Sequence, residues 1–94
     1  MRIKKEYKDE NGNEYELVLE VFAKPQYKKP YVSPLKVYKN GLIMTFYPDD
    51  DECLIDSEYI KTWMKNVREV IPEEWINEVK QETIKIFQKE IEAL

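Results

Sequence analysis

From Glu14 to Phe22 the chain alternates, with Tyr15, Leu17, Leu19 and Val21 on one side and Glu14, Glu16, Val18 and Glu20 on the other. A period of two predicts a β-strand with one covered face and one mostly charged face. Ile3 and Tyr7 alternate with Lys4, Glu6 and Lys8 in the same way, and the Asn11-Gly12 pair between the two segments tolerates the positive φ of a tight turn. These two segments therefore read as a hairpin. A second hairpin follows in LKVYK, Asn40-Gly41 and LIMTFY. Its last strand is apolar on both faces, with Leu42, Met44 and Phe46 on one and Ile43, Thr45 and Tyr47 on the other, the pattern of a strand covered on both sides. Between the hairpins, Pro25, Pro30 and Pro34 deny ladder hydrogen bonds and predict a long loop or a distorted edge.

After the acidic stretch YPDDDECLIDSE the period changes to 3.6. Ile60, Trp63, Met64, Val67, Val70 and Ile71 share one helical face, and Asp56 or Ser57 can cap a first helix running from about Ser57 to Val70. Pro72 suits a first helical position, with Glu73 and Glu74 at the positive end of a second helix. Ile76, Val79, Thr83, Phe87, Ile91 and Leu94 form its apolar stripe, widened by Trp75, Ile84 and Ile86. The predicted architecture is α+β: a four-stranded antiparallel meander with two C-terminal helices on one face, ββββαα, in a single domain over residues 1–94. If Tyr15, Leu17, Leu19, Val21, Leu42, Met44 and Phe46 meet the helices, then Val18, Phe22, Tyr38, Ile43 and Tyr47 lie on the other sheet face with nothing to bury them. An apolar excess of that kind marks an interface, so Val18, Phe22, Ile43 and Tyr47 are the candidate contacts of a homodimer.

Composition narrows the chemistry. The chain has no His and a single Cys, Cys53. That removes Ser-His-Asp and Cys-His nucleophilic machinery, the usual general base near neutral pH, internal disulfides and a cysteine-based zinc site. No catalytic residue, metal ligand or cofactor is therefore assigned. The run YPDDDECLIDSE holds six carboxylates in twelve positions, yet it fails as a calcium loop. Cys53 takes the third ligand position after Asp49 and Asp51, Leu54 stands where glycine is needed, and the closing Glu is missing. Pro48-Asp49 with Glu78-Val79-Lys80 imitates a magnesium-nuclease pattern, but that pattern needs a strand where this sequence has a helix. Pro48 can end a strand and Asp56 or Ser57 can start a helix, and neither task requires Asp49, Asp50, Asp51 and Glu52 to be acidic. Those four are the candidate partner-binding residues.

Charge is unevenly divided. Residues 1–47 carry nine Lys or Arg against six Asp or Glu, and residues 48–94 carry six against thirteen, giving the net charge of −4. An acidic chain suits a basic protein surface better than a phosphate backbone. The alternative is a nucleic-acid accessory protein using Lys24, Tyr27, Lys28, Lys29 and Tyr31, where cations and stacking aromatics interleave. No apolar run approaches membrane-spanning length and the N-terminus MRIKKEYKDE lacks the apolar core of a signal peptide, so the expected location is inside the cell.

Two hairpins, two amphipathic helices, no His, a Lys/Glu/Ile/Tyr bias and an acidic second half extend over the whole chain. In size, composition and element order it resembles the type I-D anti-CRISPR proteins of rod-shaped archaeal viruses. The resemblance implies a non-enzymatic, dimeric viral inhibitor that acts in the host cytoplasm and binds the large subunit of a CRISPR interference complex.

Overall fold

A computed structural model describes residues 1–45 and 52–93 of the protein. Phe46, Tyr47, Pro48, Asp49, Asp50, Asp51 and Leu94, all given roles above, lie outside the described residues. The fold is α+β, an antiparallel sheet followed by two helices. Among the described residues the sheet has six strands rather than the four expected: β1 (Arg2–Lys8), β2 (Glu14–Phe22), β3 (Tyr31–Val32), β4 (Lys36–Lys39), β5 (Leu42–Ile43) and β6 (Cys53–Leu54). Helix α1 spans Glu58–Arg68 and α2 spans Glu73–Ala93.

β2 is central, pairing with β1 along one edge and with both β3 and β4 along the other. The interruption between β3 and β4 has a local cause. Val21 opposes Val32, yet Val18 opposes Lys36, so the second strand carries one residue more than β2 across this stretch, as in a β-bulge. Pro34 has no N–H to give, and Ser33 fills the gap: its Oγ accepts the Glu20 N–H at 2.8 Å while its own N–H donates to the Glu20 carbonyl. Part of the predicted proline-rich loop is thus strand. Of the expected strand LIMTFY, the described residues show ladder pairing at Leu42 and Ile43 and one further bond from Met44 N–H to the Val37 carbonyl.

The two hairpin turns differ. Asn40 and Gly41 have φ of 50° and 84°, the left-handed pair that closes a two-residue turn and matches strand twist. Asn11-Gly12 does not do this. It belongs to a five-residue loop, 9–13, organised by Asp9, whose carboxylate accepts from the backbone N–H groups of Asn11 and Asn13 and from Asn13 Nδ2, all at 2.9 Å. The Tyr15 hydroxyl donates to it at 3.2 Å. These bonds, that of the Asn13 side chain foremost, hold the Asp9 carboxyl below its ordinary value of 3.8. A depressed folded-state pKa contributes stability above the ordinary value, and that contribution is lost as pH falls through the lower folded one. The melting temperatures of the parent and Asp9→Asn should therefore differ at pH 7 and converge on acidification below pH 3.8. A gap that persists through acid would exclude the carboxylate as its source.

The core lies between one sheet face and the helices. Tyr15, Leu17, Leu19 and Val21 are buried in one cluster with Ile60, Trp63, Val67, Ile76, Val79 and Phe87, as the two periods predicted. Ser57 supplies the cap of α1, its Oγ accepting the Ile60 N–H at 3.3 Å. Pro72 stands one residue before α2, and its carbonyl accepts from Trp75 N–H. Trp75 stacks on Tyr7 with centroids 4.5 Å apart and meets Tyr15 edge-on at 5.1 Å, fixing the start of α2 against the first hairpin. The Tyr7 hydroxyl donates to Glu78 at 2.5 Å; burial first, and that carboxylate next, push its pKa well above the ordinary tyrosine value.

Candidate functional site

Two departures from the predicted burial define the candidate site. Leu42 and Met44 were expected under the helices, but they are 73% and 45% exposed, and Ile43 between them is 54% exposed. The short Asn40-Gly41 turn carries these residues out along the sheet margin, where β5 is paired on one side, by β4, among the described residues. The bond from Met44 N–H to Val37 and the Tyr38–Ile43 register put Ile43 at a non-hydrogen-bonded position of this ladder. Its N–H and C=O therefore turn away from β4 toward the outside of the sheet.

The second departure concerns the sheet face opposite the helices. Val18, Phe22 and Tyr38 were expected to lie bare there, and each is half-buried. Ion pairs cross this face, Arg2 with Glu20 at 3.1 Å and Lys4 with Glu16 at 3.5 Å. Arg2, Glu16, Glu20 and Lys36 surround a shallow depression over Val18, Phe22 and Tyr38, so aliphatic stems of charged side chains shield the apolar groups. Of the candidate dimer residues, Ile43 is the exposed one; Val18 and Phe22 sit within the charged mosaic, and Tyr47 lies outside the described residues.

The sheet margins contrast. β1 presents exposed Arg2, Lys4, Glu6 and Lys8, charges of the kind that discourage edge-to-edge pairing. β5 and the residue after it present three consecutive exposed apolar side chains, Leu42, Ile43 and Met44. An edge strand of that composition is a template for another chain.

Of the acidic quartet, Asp49, Asp50 and Asp51 lie outside the described residues, and Glu52 is half-buried. Glu52 accepts a hydrogen bond from the Tyr27 hydroxyl and pairs with Lys24 at 3.4 Å. The structure thereby joins the acidic stretch to the Lys24–Tyr31 loop, a link across 25 residues that spacing alone does not reveal. Tyr27 and Tyr31 stack on each other with centroids 4.0 Å apart, and Lys24 lies over the Tyr27 ring at 5.4 Å. Hydrogen bonding with Tyr27, then Glu52, holds the Lys24 pKa above its ordinary value, and the bond to Glu52 raises that of Tyr27. Lys29 pairs with Asp56 at 2.7 Å, which lowers the Asp56 pKa. Thus two of the three lysines and both tyrosines of the candidate nucleic-acid loop already have partners within the chain, and Lys28 stands exposed beside them.

No group of three or more His, Cys, Asp or Glu among the described residues is placed to hold a metal ion. No described helix is long and apolar enough to cross a membrane. Glu78 and Lys80, members of the nuclease-like spacing, lie on α2 as the period indicated. No family model matches the chain, and neither the curated proteins nor the solved structures contain a match to it.

Proposed function

We propose that this chain is a non-catalytic binding protein of the anti-CRISPR type, a homodimer that inhibits a nucleic-acid-handling complex of its host by occupying a basic surface. The observation that carries the reading is the exposed row Leu42, Ile43 and Met44 on a sheet margin whose outermost backbone groups face outward. On this reading β3 with β4, and β5 with β6, are two interrupted strands of a four-strand meander, and the β5–β6 side is its free edge among the described residues. A second copy paired there would continue the sheet about a twofold axis and cover the three apolar side chains. Ile43, Leu42 and Met44 form the centre of that contact, with Tyr47 following in sequence; Val18 and Phe22, on β2 and separated from β5 by β4, fall outside it.

Dimerisation would place two acidic runs on one particle, since Asp49 follows Met44 closely in sequence. Paired carboxylate clusters raise both the encounter rate and the avidity for a cationic surface. The partner implied is the large subunit of a CRISPR interference complex, met in the host cytoplasm.

The test is capture of a purified interference complex by immobilised protein. The parent should retain it at low salt and release it as salt rises, and the triple variant Asp49→Lys, Asp50→Lys, Asp51→Lys should lose retention while keeping the parent's circular dichroism. Equal retention by the triple variant would remove the acidic run from the contact. Loss on Tyr27→Ala instead would favour the nucleic-acid reading of the Lys24–Tyr31 loop.

A further inference from the structure

A cavity of about 310 Å³ opens between α1, α2 and the sheet. Its floor and walls are apolar, formed by Leu19, Val32, Leu35, Ile60, Trp63 and Val79 among others. The hydroxyls at its wall are already engaged. Thr83 Oγ1 donates to the Val79 carbonyl at 2.7 Å, and Ser33 Oγ accepts from Glu20 N–H. An occupant of this interior must therefore be apolar, because a polar group placed there would lose its water without a replacement bond.

The mouth has the opposite character. Lys61, Met64 and Arg68 follow one another along α1, and Lys80 and Ile84 face them from α2. Asp56 is the one carboxylate among the residues lining the cavity, and it is bound to Lys29. Lys80 has no ion-pair partner among the described residues, and Lys61 pairs with the highly exposed Glu58 at 3.6 Å and is close enough to Asp56 to help lower its pKa. Arg68 Nε pairs with Glu73, which leaves its other N–H groups available. Three cations around an apolar slot stand out in a chain of net charge −4.

We infer that this cavity binds a small amphiphilic monoanion, a medium-chain carboxylate whose hydrocarbon tail fills the slot and whose head group sits among Lys61, Arg68 and Lys80. The volume lies at the low end of small-molecule pockets, near 300 Å³, and is too small for a helix or a second chain. Charge at the mouth selects the head group, and the apolar walls select the tail.

The experiment titrates decanoate, decanol and decylammonium, each below its micellar concentration, into the intact protein. Fluorescence of Trp63 and the amide shifts of Ile60, Met64 and Ile84 are followed. Decanoate should bind saturably with shifts centred on these residues, decanol more weakly, and decylammonium not at all. The double variant Lys61→Glu, Lys80→Glu should bind decanoate about tenfold more weakly, from two reversed charge contacts, and decanol as the parent does. Equal affinity for decanoate and decanol would overturn the selection of an anion. Shifts located elsewhere, or no saturable binding, would overturn the site. Shifts at the same residues that grow with protein concentration alone would show a second copy of the chain there and overturn the ligand class.

Discussion

Leu17→Ala should destabilise the protein by about 3 kcal/mol, a large part of the roughly 5–15 kcal/mol that holds a domain together. Leu17 is fully buried in the central strand, opposite Lys5 on one side and Val37 on the other, and its side chain enters the cluster beneath the helices. Removing it opens a cavity that neither neighbouring strand can close without breaking its own register. Val18→Ala, one residue on and on the opposite face, should cost less than about 1 kcal/mol, because Val18 is half-buried under movable charged side chains. Urea unfolding of both variants checks the pair. Comparable losses would mean that the two faces of β2 are not differently covered.

Ile43→Lys combined with Leu42→Lys should leave the fold within about 0.5 kcal/mol of the parent, since both side chains are mostly exposed. Self-association should weaken by about a hundredfold or more. Two apolar side chains of this size each contribute roughly 1.5–3 kcal/mol when buried, and two lysines facing their copies across a twofold axis repel. Sedimentation velocity over a range of concentrations separates the outcomes: the parent should shift toward twice its 11.4 kDa mass while the double variant stays at it. A variant that still dimerises would move the contact away from β5.

Period and turn chemistry made several elements legible. β2 spans the predicted Glu14 to Phe22 because one face is covered and the other is wet, the condition that writes alternation into a sequence. Ser57 and the stripe from Ile60 to Ile71 announced α1 for equally local reasons. The break at Ser33 to Leu35 was hidden, because a serine hydroxyl replaces a ladder acceptor there and prolines mask the flanking strand. β6 is two residues long and lies between an acidic run and a helix cap, too short to show a period.

The candidate site was harder to read for a different reason. An apolar run such as LIMTFY looks the same whether its own chain covers both faces or a partner does. Sequence therefore placed Leu42 and Met44 in the core, whereas the tight turn at Asn40 carries them to the margin. The alternation had indicated an apolar excess, but located it on the sheet face around Val18, where Arg2 and Lys4 of β1 pair with Glu20 and Glu16 of β2 itself and provide cover. The engagement of Glu52 by Tyr27 and Lys24 depends on contacts distant in sequence. The same is true of the cationic mouth formed by Lys61, Arg68 and Lys80, whose members belong to the wet faces of separate helices.

Amide hydrogen exchange at Ile43 tests the edge-pairing account most directly, because its N–H turns outward from the β4–β5 ladder. Dimerisation through β5 predicts that this amide exchanges quickly in dilute solution and becomes protected as concentration rises, while the central amides of β2 stay protected throughout. An Ile43 amide that exchanges at the same rate in dilute and concentrated protein would contradict the account.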